Sequence, residues 1–342
     1  MSVITVKMKR NNFFRLTVLL LSLTLLFSGC GRDQGHEALS KSGFYFDTFI
    51  TLTIYDMGAD GDAILNEALS LCESYEHLFD RTLEGSDINR INNAEGTPVT
   101  VSDETITLLK AALYYADLSN GKIDPTIAPV KDLWNFDDTK QAALPDADQL
   151  KAACSHVDYH NICINENLHT VTLTDPDTGL DLGFIAKGYI ADKLKEYLLS
   201  QGVTHAIIDL GGNILCVGSK PDGSAFRIGI RYPFSDAGDM ITSLSCIDDS
   251  IVTSGIYERY FELDNTIYHH ILSPETGYPV QNNLLSVTIV SRTSVEGDAL
   301  STLCYVLGPE DGMALIETLD DTEAIFITDD YSLHYSSGLP QN

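Results

Sequence analysis

The sequence has little positive charge. Its 342 residues include 21 Lys and Arg against 49 Asp and Glu, and the formal net charge is −28. Such a surface repels nucleic-acid phosphates and anionic lipid headgroups, so the charge argues against a nucleic-acid partner. An anionic substrate would need a local positive site or a divalent cation on this protein.

The chain also lacks several common catalytic and nucleotide-binding motifs. HExxH, Walker A, GxSxG and GxGxxG sequences are all absent. None of the cysteines after residue 30 forms a CxxC pair, and most stand in apolar segments, which favours buried free thiols over disulfides or a zinc site. These cysteines are Cys72, Cys154, Cys163, Cys216, Cys246 and Cys304.

The N-terminus carries the features of an export signal. Basic residues precede "LTVLLLSLTLLFSGC", an apolar run too short for a comfortable transmembrane helix, which indicates a signal peptide over residues 1–29. The segment Phe27-Ser28-Gly29-Cys30 resembles the bacterial lipoprotein box, in which the cysteine receives lipid. We therefore expect a protein that is lipid-anchored to the cell membrane through Cys30 and faces outward.

The remaining chain has the composition of a folded protein. Its 44% hydrophobic content can bury one large core or two coupled ones, and no repeat or linker is visible. We expect a tether over residues 30–43 and a folded domain over residues 44–342. Loss of residues 1–29 would remove four positive charges and leave a formal charge of −32.

Hydrophobic periodicity predicts strands mixed with helices. Alternation in "FYFDTFITLTIY" predicts one strand, whereas apolar spacing predicts helices over 61–79 and 102–119, the latter capped by Ser102 or Asp103. "VTHAIIDLGGNILCVG" predicts two strands joined at Gly211-Gly212, and "VEGDALSTLCYVLG" predicts a late helix.

The stretch "DLGFIAKGYIADK" predicts a helix that begins near Lys187. A helix start presents unpaired amides and the positive end of the macrodipole, to which Lys187 would add a cation suited to a phosphate. The alternative is a tight turn at Gly183 and Gly188 with a solvated lysine.

Two further segments carry groups suited to metal binding or proton transfer. In "GDALST", Asp298 and Thr302 stand four residues apart and share a helix face, which suits Mg²⁺; ordinary helix-end hydrogen bonding is the alternative. In "YHHILSPETGYP", one of His269 and His270 must face the interior of a strand and the other the solvent. Either a general base or a plain hairpin histidine fits this pattern.

Six segments taken in order resemble the ApbE family of FAD:protein FMN transferases over residues 44 to 330. They are "IDPTIAPVKDLW", "DLGFIAKGYIADK", "DLGGNI", "TSGIYERYF", "YHHILSPETGYP" and "GDALST". The resemblance implies Mg²⁺-dependent transfer of FMN from FAD to a threonine or serine of extracytoplasmic redox proteins, with release of AMP. It also implies an α+β fold of antiparallel sheets packed with helices, similar to the T-fold.

The resemblance also implies roles for individual residues. His270 matches the catalytic base, and the metal ligands match Phe184 through its carbonyl, Asp298, Ser301 and Thr302. Contacts to FAD match Phe46, Lys122, Ile123, Asp124, Asp181, Lys187, Asp209 and Leu272, while Arg259 is a candidate for a supporting role. Phe184, Phe46 and Ser273 stand where the family usually has other residues.

Two other functions remain open from the sequence. The same metal site could hydrolyse FAD to FMN and AMP, with water as acceptor, or the protein could bind FAD without catalysis. The presence of both Asp298 and Thr302 favours an enzyme, and His270 is compatible with transfer or hydrolysis.

Overall fold

The computed structural model describes residues 38–136, 143–235 and 238–339. The predicted signal peptide and Cys30 lie outside these residues. Within the described part of the chain, no helix combines the length and apolar character needed to cross a membrane. Helices and strands are numbered below in chain order.

An eight-stranded antiparallel sheet dominates the fold. In spatial order its strands are β1 (Ala38–Tyr45), β2 (Thr48–Tyr55), β6 (Ala206–Leu210), β7 (Asn213–Val217), β10 (Ser250–Gly255), β13 (Leu284–Ser291), β14 (Glu323–Thr328) and β15 (Leu333–Tyr335). Three smaller antiparallel sheets contain β3 (Val99–Thr100), β5 (Thr170–Leu173) and β4 (Ile162–Asn165); β8 (Phe226–Arg231) and β9 (Met240–Cys246); and β11 (Tyr260–Leu263) and β12 (Thr266–His269).

Helices connect and cover these strands. They are α1 (Gly61–Phe79), α2 (Asp87–Asn92), α3 (Asp103–Leu118), α4 (Ala128–Lys131), α5 (Ala147–Cys154), α6 (Ala186–Ser200), α7 (Ser294–Leu307) and α8 (Pro309–Ile316). Single 3-10 turns span Gly58–Asp60 and Tyr159–Asn161. The predicted α+β class with antiparallel sheets is confirmed.

Helices α6 and α7 pack on each other and on the central strands, and this packing positions the candidate site. Leu194 and Leu198 of α6 and Leu303 of α7 are fully buried in the main core. Burying one such side chain contributes about 1.5–3 kcal/mol. The Asp192 carboxylate accepts hydrogen bonds from the amides of Ser294 (2.8 Å) and Val295 (2.9 Å), so α6 caps the start of α7.

The N-terminal strand prediction was wrong in one respect. Residues 44–55 do not form a single strand, because the chain reverses between β1 and β2 at Phe46 and Asp47, whose φ angles are 52° and 56°. Two consecutive residues with positive φ form the kind of tight turn that joins antiparallel strands. Strand β1 also begins at Ala38, so residues 38–43 of the expected tether belong to the sheet.

Candidate active site

The start of α6 lies against the carboxylate of Asp298 on α7. The Gly188 amide donates a hydrogen bond to Asp298 Oδ2 at 2.8 Å, and Lys187 Nζ lies 4.0 Å from Oδ1. Asp298 is 4% exposed. The Gly188 amide, the positive end of α6 and a lysine therefore face a buried carboxylate.

The carbonyl of Phe184 belongs to the same corner. In a regular helix the Gly188 amide would donate to the carbonyl four residues earlier, which is that of Phe184. Here it donates to Asp298 instead, and no hydrogen bond to the Phe184 carbonyl is seen among the described residues. The predicted carbonyl ligand therefore lacks the helical hydrogen bond from Gly188, the residue whose amide binds the predicted carboxylate ligand.

Hydroxyl groups complete this oxygen-rich corner. Ser254 Oγ, at the end of β10, lies 2.7 Å from Ser301 Oγ and 3.1 Å from Thr302 Oγ1. Ser301 also donates to the Asp298 carbonyl at 2.9 Å. Carboxylate, carbonyl and hydroxyl oxygens are the donors that hard cations such as Mg²⁺ prefer, so the residues present fit such an ion.

Gly188 allows the two helices to approach. A Cβ at this position would stand 2.2 Å from the Ser294 carbonyl oxygen and 2.7 Å from Asp298 Cβ. Because the nearest atom belongs to backbone, the clash could be relieved only by separating the helices.

Gly188→Ala should therefore impair both folding and activity. We expect a loss of about 1–3 kcal/mol in the free energy of unfolding, from overpacking, measured by urea denaturation. Displacement of Asp298 should also lower turnover by about 10²-fold. Ser200→Ala, at the exposed end of α6, is the control. A Gly188→Ala protein with wild-type stability would contradict the close contact.

Asp181 is held by cations from two separate segments. Its Oδ2 atom accepts from Lys131 Nζ at 2.7 Å and from Arg81 Nε at 2.9 Å, while Oδ1 accepts from the Gly183 amide at 3.0 Å. Burial would raise the pKa of this carboxyl, but Lys131 and Arg81 hold it well below its usual range. Asp181 is therefore ionised, and both its oxygens are occupied by protein donors.

The two adjacent histidines face different surroundings. His269 is 3% exposed, and its Nε2 lies 3.1 Å from the Val280 carbonyl oxygen. His270 is only partly buried, and its Nδ1 lies 3.2 Å from the Arg259 carbonyl oxygen. With Nδ1 donating, Nε2 of His270 carries the free lone pair, as a general base requires.

Burial lowers the pKa of His270 to about 3, and the nearby charge of Lys131 adds to this effect, together with His269 and Arg259. Burial likewise lowers the pKa of His269 to about 4. Both rings are neutral at neutral pH, so Nε2 of His270 is unprotonated, and the low pKa makes the ring a weak base in this state.

Electrostatic neighbours link the separate parts of the site. Lys131 and Arg259 act on His270, while Lys187 and Arg259 act on Glu258. These are through-space effects of charge, and they indicate that Lys131 lies near His270 and that Lys187 lies near Glu258. The result is a group of cations within a strongly acidic protein, which suits a phosphorylated ligand.

Other predicted residues hold local backbone in place. Asp124 accepts from Thr126 and from the Tyr159 amide, and it borders an open cavity of about 510 Å³ that also contacts Pro274. Asp209 accepts from the Gly212 amide at 3.1 Å within its own turn. Each carboxylate therefore stabilises a loop that, from the sequence, is expected to contact FAD.

The remaining predicted FAD contacts differ in exposure. Lys122 is exposed, Ile123 and Leu272 are buried, and Phe46 lies in the turn between β1 and β2. The Phe46 amide donates to Glu76 Oε1 at 2.7 Å. In the described part of the chain, none of these four residues forms a hydrogen bond or ion pair with Asp298.

The structure adds three residues that sequence reasoning did not select. Lys131 and Ser254 lie inside the segments "IDPTIAPVKDLW" and "TSGIYERYF", so the motifs contained the signal without singling them out. Arg81 lies outside every quoted motif. It reaches Asp181, 100 residues away in the chain, only because of the fold.

One group of potential metal ligands lies elsewhere. Among the described residues, His156, Asp175 and Asp177 place ligand atoms within 4.8 Å of one another. His156 Nδ1 already pairs with Asp175 Oδ2 at 2.8 Å, and Asp175 Oδ1 accepts the Asp177 amide at 3.0 Å. These contacts tie His156, which follows α5, to the loop between β5 and α6.

Comparison with known proteins identifies the family of this chain. The ApbE family model matches residues 46–326. A FAD:protein FMN transferase from Treponema pallidum is 34% identical over 345 residues, which cover 96% of this chain and 94% of the relative. A FAD:protein FMN transferase from Klebsiella pneumoniae is 38% identical, with 88% and 93% coverage.

Solved structures show the same fold. The crystal structure of the ApbE protein from Thermotoga maritima superposes with a TM-score of 0.81 at 28% identity, covering 88% of this chain and 97% of that chain. The flavin transferase ApbE from Vibrio cholerae gives a TM-score of 0.76 at 29% identity, with 88% and 98% coverage. The chain therefore belongs to the ApbE family.

Proposed function

We propose that this protein transfers FMN from FAD to a threonine or serine hydroxyl of acceptor proteins, with Mg²⁺ bound and AMP released. Relatives that are 34% and 38% identical over most of the chain carry the name FAD:protein FMN transferase. The observation that carries the proposal is the Gly188–Asp298 contact. The same buried carboxylate lies near Lys187, and the hydroxyls of Ser301 and Thr302 follow it on α7, which supports a site for a metal ion and a diphosphate.

Different residues would serve different functions in phosphoryl transfer. Asp298, Thr302, Ser301 and the Phe184 carbonyl would hold Mg²⁺, which would neutralise charge on the FAD diphosphate. Lys187, at the positive end of α6, would bind phosphate oxygens. Lys122, Ile123, Asp124, Leu272, Phe46 and Asp209 would shape the loops that hold the rest of FAD.

His270 would activate the acceptor. Its Nε2 atom would take the proton from the acceptor hydroxyl as that oxygen attacks the phosphorus on the FMN side of the diphosphate. A phosphoester bond forms to the hydroxyl oxygen, and the bond between that phosphorus and the bridging oxygen breaks. AMP carries away the electron pair.

A transfer assay tests this function. The protein would be incubated with FAD, Mg²⁺ and a protein containing the family acceptor motif, and mass spectrometry would search for one added FMN. A modified threonine or serine whose formation stops with EDTA supports the proposal. Free FMN and AMP without labelled protein would indicate FAD hydrolysis, and unchanged bound FAD would indicate a binding protein.

We also propose that the protein acts outside the cytoplasm, anchored to the membrane by lipid on Cys30, where its acceptors would be extracytoplasmic redox proteins. The basic and apolar N-terminus and the box ending at Cys30 support this location. Metabolic labelling with an alkyne fatty acid should mark the wild-type chain in its native host but not Cys30→Ala. Equal labelling of both chains would refute the anchor.

A further inference from the structure

Lys131 occupies a position between two parts of the proposed site. It lies at the end of α4, its Nζ pairs with Asp181 at 2.7 Å, and its charge acts on His270. The same Nζ lies 3.6 Å from where a Cβ on Gly183 would stand, beside the turn that leads into α6. The lysine side chain is 27% exposed, so it remains accessible to a ligand.

The charges around Lys131 do not cancel within the buried cluster. Lys131 and Arg81 share the single oxygen Oδ2 of Asp181, whose carboxylate supplies one negative charge for two cations. The other partner of Arg81 is Asp132, at 2.6 Å, but its side chain is 60% exposed and is screened by water. With the exposed Asp132 included, the formal charges of the four side chains sum to zero, but the less exposed part of the cluster, Lys131, Arg81 and Asp181, carries a formal charge of +1.

Asp181 itself is poorly suited to contact a diphosphate. Its oxygens already accept from Lys131, Arg81 and the Gly183 amide. Its carboxylate is also ionised and would repel phosphate oxygens at close range. A carboxylate in this position can instead orient the cations that bind the anion.

We propose that Lys131, oriented by Asp181 and Arg81, binds the diphosphate of FAD. This inference rests on the proposed function, because it takes FAD as the ligand. Asp181 and Arg81 are positioning residues in this arrangement, and Lys131 makes the ligand contact. The lysine has a flexible stem and three donor hydrogens, so it can turn from Asp181 toward a phosphate oxygen without moving α4.

Flavins that differ only in phosphate content test the contact. Dissociation constants for riboflavin, FMN, FAD and ADP would be measured by calorimetry and flavin fluorescence on the full-length protein, with and without Mg²⁺. Lys131→Met should raise the Kd for FAD about 10-fold or more, since a charge-assisted hydrogen bond is lost. The Kd for riboflavin should change less than about 2-fold, because riboflavin lacks phosphate.

Two variants control for indirect effects. Lys131→Arg retains the positive charge and should keep most of the FAD affinity. Lys110→Met removes a surface lysine that pairs with Glu166 and should leave every constant unchanged. The salt dependence of FAD and ADP binding should weaken in Lys131→Met, because one cation–phosphate contact is missing.

A purely structural lysine would give a different result. In that case Lys131→Met would weaken binding of riboflavin and FAD equally, or lower the melting temperature with no change in FAD affinity; either outcome overturns the proposal. The test needs neither acceptor nor turnover. Selective loss of FAD affinity would therefore support the contact even if the transfer assay failed.

Discussion

Asp298→Ala should abolish Mg²⁺-dependent FMN transfer while the protein still folds. Among the proposed metal ligands Asp298, Ser301, Thr302 and the Phe184 carbonyl, Asp298 is the carboxylate, so it would supply most of the charge that holds the metal. The alanine variant also leaves the buried Gly188 amide without its acceptor. We expect this to cost about 1–3 kcal/mol of the free energy of unfolding.

Asp298→Asn separates these two effects. Its side-chain oxygen can still accept from Gly188, so stability should stay near that of the wild type, but the negative charge is gone. The rate should then need much higher Mg²⁺ concentrations or remain undetectable. Transfer rates measured as a function of Mg²⁺ concentration would report the effect of the lost charge, and thermal melts would report stability. Asp311→Asn on the exposed face of α8 is the matched control. Wild-type turnover in Asp298→Asn would show that Asp298 is not a metal ligand.

Local sequence signals predicted the regular elements well. The helix expected over residues 61–79 is α1, with the same bounds, because its apolar residues recur at helical spacing. Ser102 caps α3 by accepting from the Thr105 amide. The glycine pair at 211 and 212 separates β6 from β7 because both residues have positive φ, of 67° and 93°.

The turn at Phe46 and Asp47 was missed for a physical reason. Its two residues adopt positive φ without the Asn-Gly or Gly-Gly pair that usually marks such turns, and apolar alternation continues across them. Period-two alternation cannot distinguish one long strand from a hairpin when the turn residues carry no conformational signal. Tertiary pairing of β2 with β6 fixes the outcome.

In the candidate site, a residue pair close in sequence could be predicted, whereas contacts between residues distant in sequence could not. Asp298 and Thr302 could be paired from sequence because helical spacing places them on one face. The contact of Asp298 with Gly188 joins residues 110 apart, and that of Lys131 with Asp181 joins the end of α4 to the segment before α6. Such pairings depend on how α6 packs on α7 and how α4 meets the turn before α6, which one sequence does not reveal.

The contrast between the two histidines leads to the second large prediction. His270→Ala should lower FMN transfer by about 10²-fold or more, because the acceptor hydroxyl would lose its base. His270→Gln, which fills similar space but cannot accept a proton, should lose as much activity.

His269→Ala should act mainly on stability, since His269 is buried and its ring is hydrogen-bonded to the Val280 carbonyl. Both effects would be measured by single-turnover transfer and thermal melts. Large loss in His269→Ala with none in His270→Ala would reverse the assignment.

The pH dependence of FMN transfer tests both the role of His270 as the base and the effect of its surroundings on its pKa. Burial, with the charges of Lys131 and Arg259, lowers the pKa of His270 to about 3, against about 6.5 for an ordinary histidine. A base works in its deprotonated form, so it loses activity only as pH falls through its pKa. The rate of the transfer step should therefore show no histidine-dependent fall between pH 8 and about pH 5. A fall centred near pH 6.5 that disappears in His270→Gln would mean that the ring keeps an ordinary pKa, and that neither burial nor the nearby cations hold it neutral.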